Sequence, residues 1–152
     1  MKRIIAIVSC SLLLAALAGC ATSSRQPSTK EARIQPEHLE PGDTAIITVE
    51  VADRFDIVQR VEGLVKEDRT ITFKLRDDGI TPDKKAGDNI WTIQVDVPFN
   101  APPGDFEFEV MAYNSEGEVI VVPDENDEAA PLSISFKLII LDLMFGVRIL
   151  LI

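Results

Sequence analysis

From Thr44 to Pro131 apolar and polar residues alternate with a period of two, and no stretch repeats at the period of a helix. That pattern limits the chain to strands with one buried face. Ala45, Ile47, Val49 and Val51 point one way, and Thr44, Thr48 and Glu50 the other. Ile71, Phe73 and Leu75 alternate with Thr70, Thr72, Lys74 and Arg76; Trp91, Ile93, Val95 and Val97 alternate with Thr92, Gln94 and Asp96. Phe106, Phe108, Val110 and Ala112 alternate with Glu107, Glu109, Met111 and Tyr113, and beyond Pro131 the run Leu132, Ile134, Phe136 and Leu138 alternates with Ser133, Ser135 and Lys137. The stretch Ile57 to Val65 is less regular and contains Gly63, which predicts a bulge or an edge position. With a short Val119 to Val122 segment the count is about seven strands. Asp77-Asp78-Gly79, Pro102-Pro103-Gly104 and Ser115-Glu116-Gly117 separate them as turns. Short strands of this kind form an all-β antiparallel β-sandwich.

Ahead of the strands stands a different kind of segment. Lys2 and Arg3 precede an almost unbroken apolar run from Ile4 to Leu17, which ends in Leu17-Ala18-Gly19-Cys20. The run is too short to span a bilayer well, and it has the order of an export signal. The whole resembles the lipobox of bacterial lipoproteins, in which the cysteine sulfur takes a diacylglycerol and the chain is cut just before it. The resemblance implies that 1–19 is a signal peptide, that Cys20 carries lipid, and that the mature chain is held to a membrane by several acyl chains. Ala21 stands where an Asp would favour inner-membrane retention in such lipoproteins, so the outer membrane is the expected location. Residues 20–36, rich in Thr, Ser, Lys, Arg and Gln, read as a flexible tether. The sandwich is expected over 37–141, and 142–152 forms an apolar tail.

Signal removal leaves roughly 130 residues, enough for one sandwich core. Cys10 would leave with the signal and Cys20 would be acylated, so no thiol pair remains and stability must come from apolar packing. The formal charge is −10, and becomes −12 without Lys2 and Arg3. A charge of that size excludes nucleic-acid partners.

The segment from Leu75 to Thr92 carries a second resemblance. It reads Leu75-Arg76-Asp77-Asp78-Gly79, then Asp83, then Ala86-Gly87-Asp88-Asn89-Ile90-Trp91-Thr92. This is similar to a motif of exported bacterial Ig-like domains of the choice-of-anchor X type, as are Pro102-Pro103-Gly104-Asp105-Phe106 and Ala112-Tyr113-Asn114-Ser115-Glu116-Gly117 downstream. Asn89 replaces the usual glycine and Trp91 the commoner Tyr. Asn tolerates a left-handed backbone, so the turn survives the change. The resemblance implies an Ig-like sandwich without catalytic residues, serving as a binding or structural module of the cell envelope.

Asp77, Asp78, Asp83, Asp88 and Asn89 crowd one connection. Calcium takes six to eight oxygens, and such a loop could supply several. The spacing is not that of an EF-hand, and the same residues also suit a stiffened turn in which side chains accept backbone amides. Both readings stand at this level. Asp124-Glu125-Asn126-Asp127-Glu128 is a second acidic run, expected to be a solvated loop. His38 is the single histidine, and no nucleophile, zinc or phosphate-loop motif occurs. The chain is therefore expected not to be an enzyme. Trp91 shares the inward register and is expected in the core, whereas Tyr113 on the outward register is the candidate for a surface contact with an envelope protein or glycan. Alternatives are a carbohydrate-binding or accessory lipoprotein of an envelope enzyme and a calcium-stabilised adhesion module. The tail from Leu138 to Ile152 is compatible with an overlong last strand, an amphipathic segment on a membrane or partner, and a shifted reading frame.

Overall fold

A computed structural model describes residues 26–142. The expected signal peptide, Cys20 and residues 143–152 of the apolar tail lie outside them. Ten strands and no helix occur among the described residues: β1 (Ser28–Gln35), β2 (His38–Leu39), β3 (Thr44–Ala52), β4 (Arg60–Val65), β5 (Thr72–Leu75), β6 (Ile90–Asp96), β7 (Gly104–Tyr113), β8 (Val121–Pro123), β9 (Ala129–Pro131) and β10 (Ser133–Ile140). The fold is all-β, as the alternation predicts.

Two main sheets divide the strands. A three-stranded sheet has the order β1-β3-β6 and a five-stranded sheet the order β2-β10-β7-β4-β5, with β8 and β9 forming a separate hairpin. All pairings are antiparallel except the short parallel contact of β2 with β10. Ala45, Ile47, Val49 and Val51 of β3 meet Val61, Phe108, Val110, Ala112 and Leu138 of the other sheet in one apolar core. Burial of this inner face is what specifies the register, because a one-residue slip would turn every one of these side chains to water.

Phe108 on β7 stacks on Phe73 of β5 (centroids 5.3 Å) and on Phe136 of β10 (5.6 Å), so aromatic rings run across the inner face of the larger sheet. Gly63 lies on an interior strand of the same sheet. β4 lies between β5 and β7, with Gly63 opposite both Phe73 and Val110. A Cβ at Gly63 would sit 3.3 Å from Val110 Cγ2. The glycine thus marks close approach inside the sheet rather than the bulge or edge its irregular surroundings predict.

Three further expectations need correction. The tether expected over 20–36 is in part a strand: from Ser28 onward it pairs with β3, with a register shift between Thr29 and Glu31. Ala32 and Ile34 pack on the core while Lys30, Glu31 and Arg33 face out, the usual protection of an exposed edge. Thr92, expected to face water, is 3% exposed, because it lies between Thr48 of β3 and an isolated bridge to Arg76. Trp91, Val95 and Phe106 pack against the core as expected but are only half-buried, since β6 is a sheet edge and β7 enters the sheet through the exposed Gly104-Asp105 end.

A candidate site in the β5–β6 connection

The connection from Arg76 to Asn89 is closed at its root by the Arg76–Thr92 bridge, in which each backbone amide donates to the other residue's carbonyl at 2.9 and 2.8 Å. Above that root one side chain organises the return of the chain. Asp77 Oδ1 accepts the amides of Gly87 (2.7 Å) and Asp88 (3.2 Å), and its Oδ2 accepts the amide of Asn89 (2.9 Å). Three successive N–H groups can converge on one carboxylate because Gly87 (φ 68°) and Asn89 (φ 65°) both take left-handed backbone. Asn89 holds that conformation although it is not a glycine, as its short polar side chain allows.

Asp83, 6% exposed, braces the opposite limb. Its Oδ2 accepts the Gly79 amide at 2.6 Å and its Oδ1 the Lys85 amide at 3.4 Å. Asp88 Oδ1 accepts the Ile90 amide at 3.1 Å where β6 begins. Asp77, Asp83 and Asp88 each bring one oxygen within 4.8 Å of the others. Asp78, grouped with them on sequence grounds, does not join. Asp78 turns outward, accepts the Ile80 amide at 2.9 Å, and pairs with the Arg76 guanidinium at 2.6 Å. The Ile80 amide, and then Arg76, hold its carboxyl below the ordinary Asp range. Asn89 contributes its backbone amide to Asp77.

The same device recurs around the sandwich. Asp53 accepts the amides of Phe55 and Val58, Asn114 those of Glu116 and Glu118, and Asp124 those of Asn126 and Glu128. The acidic run 124–128 is therefore the tip of the β8–β9 hairpin, closed by its first residue. Asp53, Asp77, Asp83, Asp88 and Asp124 thus each shape a turn.

Tyr113 is half-buried, and the Arg60 guanidinium carbon stands 4.4 Å from its ring centroid. Arg60 and Tyr113 are cross-strand partners of β4 and β7, so pairing itself brings the cation over the ring. One face of the expected contact residue is thus already occupied. His38 is exposed on β2. Sequence reasoning identified Tyr113 but missed Arg60, whose signal was only its place at the start of a strand.

No family model and no curated protein matches the chain. Among solved structures it is similar to a Niemann-Pick type C2 protein from Japanese carpenter ant, with 15% identity over 79% of this chain and 96% of that one and a TM-score of 0.43.

Proposed function

We infer that this chain is a lipid-anchored, non-catalytic binding or structural module of the bacterial cell envelope, a sandwich of the choice-of-anchor X kind. The observation that carries the reading is the order of Lys2-Arg3, the apolar run to Leu17, and Leu17-Ala18-Gly19-Cys20. In this reading Cys20 takes lipid, residues 1–19 are removed, and Ala21 directs the protein to the outer membrane. Its partner is an envelope protein or glycan. Two observations agree with a module rather than an enzyme. Asp77, Asp83, Asp53 and Asp124 accept backbone amides in turns, and the exposed His38 stands apart from them at the sheet edge.

The test is incorporation of labelled fatty acid in a bacterial host. Wild type is expected to take up label and to sediment with membranes, and Cys20→Ala to lose label and remain unprocessed. An unlabelled, soluble wild-type protein would refute the anchor.

A second reading, a calcium-stabilised adhesion module, is favoured by the convergence of Asp77, Asp83 and Asp88. Three carboxylates would need carbonyls and water to reach the coordination calcium prefers. The hydrogen bonds within the loop already hold its shape, which favours the turn reading over the ion.

A further inference from the structure

β5 and β6 are edge strands of different sheets, stitched together by the Arg76–Thr92 bridge. Residues of both edge strands line a cleft of about 320 Å³. Phe108, Leu138 and Ile140 form its buried floor, and Phe73, Val95 and Phe106 its half-buried walls. Packed interiors leave few voids larger than a water molecule. An apolar space of this size is not a natural home for water either, since each ordered water needs two to four polar partners. The rim has the opposite character, with Glu67, Asp68 and Asp96 placed around it. Both oxygens of Glu67 accept the Glu107 amide at 3.1 Å, Asp68 accepts the Thr70 hydroxyl at 2.6 Å, and Asp96 accepts the Thr44 hydroxyl at 2.8 Å. These bonds fix the rim acids in place, and the Thr70 hydroxyl and amide hold the Asp68 carboxyl below its ordinary range.

We propose that this cleft binds one small, uncharged apolar molecule, a single aliphatic chain or compact ring system. Its volume lies at the lower end of the roughly 300–1,000 Å³ typical of ligand pockets and is about twice that of a cavity that takes up benzene. A two-chain lipid is too large. The acidic rim repels carboxylate, sulfonate and phosphate heads, so ordinary fatty acids are disfavoured. The site is independent of the envelope anchor and rests on the geometry of the sandwich alone.

The test uses the chain from Ala21 to Ile152, which carries every described strand and a core whose buried apolar residues lie between Leu39 and Ile140. It is titrated with uncharged phenylnaphthylamine and with anionic anilinonaphthalene sulfonate. The uncharged probe is expected to saturate at one per chain, and the anionic one to bind about tenfold more weakly or worse. Ile71 is 44% exposed at the rim, so Ile71→Lys leaves the core intact and is expected to weaken the uncharged probe by about tenfold or more. Val95→Phe, which fills the cleft from its wall, should do the same. Ile80→Lys removes an apolar side chain that is 59% exposed on the distant Asp loop, and should change nothing. Absence of saturable binding, equal affinity for the two probes, or an equal loss in Ile80→Lys would overturn the proposal. So would a gain of about tenfold or more on ending the chain at Asp142, which would identify the apolar tail as the occupant.

Discussion

Asp77 receives three amides on one carboxylate, whereas its neighbour Asp78 points outward to Arg76, and this difference should be measurable. Asp77→Ala removes the acceptor of three N–H groups, those of Asp88 and Asn89 half-buried, and is expected to destabilise the fold by about 1–3 kcal/mol, read from denaturant melts. Asp78→Ala should stay within about 0.5 kcal/mol of wild type. If the turn reading of the loop is right, the melting temperature will be the same in millimolar calcium and in excess chelator; a clear rise with calcium would replace it by the calcium reading. The sequence shows that acids crowd this connection, but all five candidates have similar chemistry. What separates them is the backbone path through Gly87 and Asn89, which decides whose oxygens meet the amides. In the core, residue type says more. Phe108 was placed inward by alternation alone, and it is buried between two other rings. Phe108→Ala is expected to cost about 3–5 kcal/mol, and Glu107→Ala, which breaks half-exposed contacts with Lys66 and Ser135, within about 0.5 kcal/mol.

At the scale of elements, strands with several apolar residues in alternation were legible and those with fewer were not. β3, β6, β7 and β10 follow the period closely enough to be read directly. β1 carries only Ala32 and Ile34 on its inner side, among charged residues that resemble linker composition. It becomes a strand because the edge of β3 is there to receive it, and that tertiary fact has no local signature. β9 was hidden similarly between acidic and proline residues, and takes its pairing from β8. Burial of Thr92 depends on neighbours supplied by two distant segments. If β1 belongs to the domain, a chain starting at Pro36 should expose the β3 edge. Faster hydrogen exchange at β3 amides and concentration-dependent self-association are expected relative to a chain starting at Gln26. Equal exchange in the two chains would return Ser28–Gln35 to the status of a linker.

For the whole molecule, dependence on pH follows from the hydrogen-bonded acids. Lys66 holds the Glu107 carboxyl below its ordinary range, and backbone amides do the same for Asp78 and Asp124. A carboxyl whose folded pKa is depressed stabilises the fold in full above its unfolded pKa and ceases to do so as pH falls through the folded value. Thermal melts should therefore be nearly flat from about pH 7 to pH 5 and decline below about pH 4. A melting temperature that rose below pH 4 would mean that relief of the repulsion within a chain of charge −10 outweighs these bonds. The strand character of Ser28–Gln35 also sets a distance. With lipid on Cys20, only the seven residues 21–27 would lie between the lipidated cysteine and the first strand, a reach of about 25–30 Å at full extension. A leash running to Pro36 would have doubled that radius. If Cys20 carries lipid, the first strand would thus be held within that reach of the bilayer, and a partner would have to approach the membrane surface to meet the domain.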